Sequence, residues 1–101
     1  MTLKEDLENA LYNFLYEIID KESEDWFTVR EETVEVDIVD EREENNKKII
    51  EADISFEVIT IHDTGYGELS ATFRCSGSAT FVIEDSKIVV EYLDFGVTDL
   101  W

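Results

Sequence analysis

The sequence predicts an α+β fold, with one N-terminal helix packed on a curved antiparallel sheet of four to five strands. Three observations carry this. Apolar residues recur at helical spacing between positions 3 and 19. They alternate strictly with polar ones between 49 and 61, and they alternate again from 69 onward, with turn residues separating the runs. A helix with one apolar stripe and a sheet with one apolar face each need the other to be buried, so the two must pack together.

Thr2-Leu3-Lys4-Glu5 fits the capping box, a hydroxyl followed three residues later by a carboxylate. Behind it Leu3, Leu7, Ala10, Leu11, Phe14, Leu15, Ile18 and Ile19 form a broad apolar stripe, and Glu5, Asp6, Asn9, Asn13, Glu17 and Asp20 occupy the other side. Tyr12 and Tyr16 lie four apart near the edge of that polar side, so they meet each other. The helix ends near Asp20 or Lys21.

A short charged connection, 21–25, leads into β-structure that begins at Trp26 and continues through Thr33 to Asp40. Residues 40–48 read as a polar hairpin loop with Asn45-Asn46 as its turn, because asparagine tolerates positive φ. The central strand, 49–61, places Ile50, Ala52, Ile54, Phe56 and Val58 on one face and Glu51, Asp53, Ser55 and Glu57 on the other. Residues 62–67, with two glycines, make the next turn.

A long strand then carries Leu69, Ala71, Phe73, Cys75, Ala79, Phe81 and Ile83 on one parity, with a bend or bulge at Gly77. After a turn at 84–87 the last strand covers 88–93, and the tail 94–101 adds a short edge. Leu7, Leu11, Phe14, Ile18, Ile54, Phe56, Phe73 and Phe81 are expected to share one core. The layout is that of a meander gripping a helix, similar to the cystatin-like α/β roll in element order, a likeness that transfers no activity.

Length and composition bound the rest. A chain of 101 residues without prolines, repeats or linker-like stretches reads as a single α+β domain, 1–101. With 44% hydrophobic and 12% aromatic residues it can fold. Its 26 acidic and 8 basic residues give a net charge of −18, well above the roughly 2–8 units that solubility asks of a small domain. Such a surface is repelled by nucleic acid and by anionic membranes and attracted to basic protein surfaces. The lone Cys75 makes no internal disulfide, there is no signal-type N-terminal run, and no apolar stretch approaches a membrane span, so a cytoplasmic location is expected.

Motifs for chemistry are missing. His62 beside Asp63 is the only histidine, and neighbours at a strand end point apart, with no nucleophile placed by motif. Cys75 shares the parity of Phe73 and Phe81 and reads as core. There is no Cys/His set for zinc, the acidic run 40–44 lacks the glycine of a calcium loop, and Gly65-x-Gly67 is a turn and not a phosphate cradle. No catalytic residue, cofactor or metal is therefore expected, and no enzymatic activity.

The acidic display is the remaining signal. Glu35 and Asp37 on one strand and Glu51, Asp53 and Glu57 on its hairpin partner should fall on one sheet face. Like charges so placed destabilise a sheet. The face is either an ordinary solvated surface or a pre-organised anionic array for a basic groove tuned to phosphates. Tyr12 and Tyr16, with Trp26, Tyr66 and Trp101, supply candidate aromatic anchors.

In size, charge, lack of cofactor motifs and compact α+β layout, the chain resembles the small acidic phage-borne inhibitors that include many anti-CRISPR proteins and other DNA mimics. That resemblance implies a non-enzymatic inhibitor that binds and blocks a basic nucleic-acid-handling protein, without contacting nucleic acid or membrane itself, as a monomer or homodimer. Two alternatives stay open: an immunity protein or antitoxin that neutralises a cognate toxin, and a structural or accessory interaction domain without mimicry.

Overall fold

The computed structural model describes residues 2–24, 26–63, 65 and 67–100, with backbone alone for 61–63, 68, 69, 99 and 100. Helix α1 spans Leu3–Leu15 and continues into a π-helical turn, Tyr16–Asp20. The sheet comprises β1 (Phe27–Val29), β2 (Glu35–Glu44), β3 (Lys47–Asp63), β4 (Glu68–Glu84) and β5 (Lys87–Leu100), all pairing antiparallel. β3 is central: β1 and β2 pair in succession along one of its edges and β4 along the other, with β5 beyond β4. The sheet curls into a half-barrel, and α1 lies in its concavity between β2 and β5.

α1 starts where the sequence places it. The Glu5 N–H donates to Thr2 Oγ1 at 3.2 Å, which satisfies one of the orphan donors of the first turn. Leu7, Leu11 and Leu15, four apart, are the fully buried seam, and they pack on Val34, Val36, Ile50, Ala52, Ile54, Phe56, Val58, Cys75, Ala79 and Phe81. Phe56 and Phe95 meet edge to face, with ring centroids 5.1 Å apart.

The seam is narrower than the apolar stripe suggests. Phe14 and Ile18, expected in the core, are 36% and 40% exposed, because α1 presents only its Leu7–Leu11–Leu15 line to a concavity flanked by β2 and β5. Phe73 is only partly buried. Asp20, expected on the solvated side, is 4% exposed. The π-turn changes the angular phase of the last residues, and the Asp20 carboxylate accepts the Val29 N–H at 3.1 Å, which ties the end of the helix to β1.

The strands are longer than their charge suggests. Residues 40–48 are not a loop: β2 runs to Glu44 and β3 starts at Lys47, leaving only Asn45 and Asn46, at φ 52° and 68°, as the turn. Asp85 and Ser86, at φ 51° and 65°, close β4 onto β5 in the same way. The expected continuous β-structure from 26 to 40 is two strands separated by a 3₁₀ turn, Glu31–Thr33. β5 extends through the tail to Leu100 and is not a short strand followed by a separate edge.

Gly77 is no bulge. It pairs in register with Ile54 and with Phe95, and a Cβ there would collide with the Asp94 carbonyl and sit 2.6 Å from Phe95 Cα. The missing side chain allows close strand approach. The bulges lie elsewhere, with Val39 extra on β2 and Glu91 and Thr98 extra on β5.

At 56 × 23 × 23 Å the molecule is elongated. A helical segment of 18 residues covers roughly 27 Å, about half the span of a 17-residue strand, so the helix covers only part of the sheet's length. No helix among the described residues is long and apolar enough to cross a membrane.

Candidate partner-binding face

The side of the sheet turned away from α1 is convex and bare. Because Val36, Ile54, Phe56 and Val58 are buried toward the helix, the residues between them point outward. This aligns Glu35 and Asp37 of β2 with Glu51, Asp53 and Glu57 of β3 on one face. Glu35 lies opposite Ser55, Asp37 directly opposite Asp53, and Asp40, after the Val39 bulge, opposite Glu51. On β4 the outward row runs from the exposed Arg74, opposite Glu57, to the short hydroxyls Ser76, Ser78 and Thr80, and on β5 it includes Tyr92 and Asp94.

The five carboxylates differ in how their charge is balanced. Glu57 is 24% exposed and pairs with Arg30 at 3.3 Å, while the Arg30 N–H donates to the Glu57 carbonyl at 2.9 Å. Arg30 also holds Glu32 at 2.8 Å; the Glu32 carboxyl sits below its ordinary range, through a backbone N–H and then through Arg30. Glu51 shares Arg42 with Asp40 and Glu44, at 3.6, 3.7 and 3.6 Å. Between these two clusters Glu35, Asp37 and Asp53 enter no ion pair among the described residues. The centre of the face is therefore its least neutralised part.

Tyr12, on α1, and Tyr16, the first residue of the π-turn, lie on the opposite side of the sheet from these carboxylates. Tyr12 is half-buried near Glu31 and Glu32, and its hydroxyl is pushed up by burial first, then by Asp20, Glu31, Tyr16 and Glu32. Tyr16 is 43% exposed. Trp26 is exposed immediately before β1. Tyr66 and Trp101 lie outside the described residues, as do the side chains of His62 and Asp63. Cys75 is buried in the core, and burial raises its thiol pKa. Among the described residues no three His, Cys, Asp or Glu side chains form a group able to hold a metal ion.

The aromatic residue on the acidic face is Tyr92, more than half exposed. Simple alternation from Ile88 and Val90 would turn it inward. The extra residue Glu91 shifts the phase, and Tyr92 emerges outward opposite Thr80. Val39, 64% exposed, reaches the same face on the parity of Glu35 and Asp37, and the bulge on β2 turns Asp40 outward beside it, opposite Glu51. Tyr92, Val39, Glu51, Asp53, Ser78 and Thr80 line a shallow depression of about 430 Å³. A second groove, about 460 Å³ and mostly apolar, lies at the end of the helical segment between Ile18, Phe27, Phe73 and Val97.

Fold and face together define a helix-in-half-barrel α+β protein whose uncovered sheet face is a carboxylate array. No protein-family model, curated protein or solved structure matches the chain.

Proposed function

We propose that this protein is a non-enzymatic inhibitor that binds and blocks a basic, nucleic-acid-handling protein by presenting its convex face where the target would hold a phosphate backbone. One observation supports this above the rest. Asp37 faces Asp53 across β2 and β3, with Glu35 beside them, on a bare sheet whose described cations lie to either side. A sheet selected for stability alone avoids like charges directly opposite each other. Carboxylates two apart on a strand sit about 6.6–6.8 Å apart, and strands about 4.8 Å apart, so the array is fixed by backbone geometry. An anionic surface held this way is complementary to a positive channel without being a substrate.

The test replaces Glu35, Asp37 and Asp53 by Gln, Asn and Asn, which removes three charges that no described residue neutralises and keeps shape. The variant should fold as the parent does and bind the target more weakly, while nucleic acid should compete with the parent protein for that target. The loss should appear in the association rate if the charges steer, and in the dissociation rate if they become desolvated. Unchanged affinity without competition by nucleic acid would overturn the proposal. Salt-insensitive capture of one toxin would assign the protein to the immunity class instead.

A further inference from the structure

We infer that the depression between Val39 and Tyr92 receives an arginine side chain of the target, its guanidinium on Asp53 and its stem and planar face against the Tyr92 ring; this rests on the function proposed above. The same face already binds guanidinium groups from its own chain at two points. Arg42 lies among Asp40, Glu44 and Glu51, and Arg30 sits on Glu57. Asp53 lies between them, opposite Asp37 and with no ion pair among the described residues.

Two β-bulges frame the spot on the same transverse line of the sheet, where Asp40, Glu51, Thr80 and Tyr92 are successive partners. The β5 bulge turns Tyr92 outward, which regular alternation would not do, and the β2 bulge sets Asp40 outward next to the already outward Val39. Short Ser78 and Thr80 form the floor, leaving about 430 Å³, room enough for one long side chain. Carboxylate and ring together select arginine over lysine. The guanidinium bonds a carboxylate in its plane and stacks on an aromatic face, whereas an ammonium is a more strongly hydrated point charge.

The experiment titrates the full ¹⁵N-labelled chain at low salt with two capped probes, tri-arginine and tri-lysine. Tighter binding of tri-arginine is expected, with the largest amide shift changes at Asp53, Ser78, Thr80 and Tyr92. Tyr92→Ala should weaken tri-arginine about three-fold, in line with an exposed cation–π contact, while Tyr92→Phe should keep parent affinity. Tyr92 is 56% exposed, so neither change threatens the fold. Equal affinity for both probes, with shifts spread evenly over the acidic residues, overturns the arginine site and leaves the inhibitor reading standing on diffuse charge. Failure of both probes to bind overturns it as well. Failure of the inhibitor reading would show separately, as absent competition between nucleic acid and the protein for the target.

Discussion

Along β3 the concave face carries Ile50, Ala52, Ile54, Phe56 and Val58, all buried, while the convex face one residue away carries Glu51, Asp53 and Glu57. The same backbone serves both, and its ladder hydrogen bonds are indifferent to what either face bears. The concave side gains its stability from hydrocarbon removed from water, closed over by α1. The convex side has no cover and accumulates like charge. The core thus supports a surface whose like charges work against it, most directly where Asp37 faces Asp53.

The widest gap between the faces should appear on truncation. Phe56→Ala removes a side chain that is 1% exposed and in edge contact with Phe95, and should cost about 3–5 kcal/mol in denaturant unfolding. A similar deletion on the convex side, such as Val39→Ala, should stay within about 0.5 kcal/mol. If the two losses were alike, the assignment of inside and outside across β2 and β3 would be wrong.

A smaller effect tests Asp20, the one buried carboxylate among the described residues. Asp20→Ala leaves the buried Val29 N–H without its acceptor, 3.1 Å away in the parent, and should cost about 1–3 kcal/mol. The loss should be concentrated where the π-turn meets β1, so hydrogen exchange of the Val29 amide should accelerate more than that of residues in β4. Uniform acceleration would mean that Asp20 supports the whole fold and not this junction.

What could be read in advance was local. Thr2 as cap, Asn45-Asn46 as turn, and the parity that puts Glu35, Asp37, Glu51, Asp53 and Glu57 together are each set by a few neighbouring residues. The remainder depended on partners distant in sequence. Residues 40–44 look like loop because they are charged, yet backbone pairing with β3 makes them strand, and an edge strand with outward charges is well protected against aggregation. Asp20 looks solvated until the π-turn carries it beneath β1. Val39 follows the parity of Glu35 and Asp37, but Asp40 and Tyr92 reach the acidic face only through bulges, which add a residue and reverse every parity beyond them, and nothing in either segment announces one. Tyr12 and Tyr16 were separated from the carboxylates by the choice of which sheet face the helix covers, a choice the sequence of the helix alone does not contain.

The smallest expected effect has the opposite sign and lies on the convex face. Asp37 and Asp53 are direct cross-strand neighbours, both exposed, and no described cation neutralises either. Removing one charge relieves the repulsion without opening a cavity, so Asp53→Asn should stabilise the protein by about 0.5 kcal/mol at low salt. Added salt screens the same repulsion, since the Debye length falls to about 10 Å at 0.1 M. The parent should therefore gain thermal stability as salt rises from very low levels, and the advantage of Asp53→Asn should shrink over the same range. Glu57→Gln is the control: it also removes one negative charge, but it breaks the 3.3 Å pair with Arg30, so its gain should be smaller or reversed. Equal responses from the two variants would show that only total charge matters; a larger gain for Asp53→Asn would place the repulsion at the Asp37–Asp53 pair.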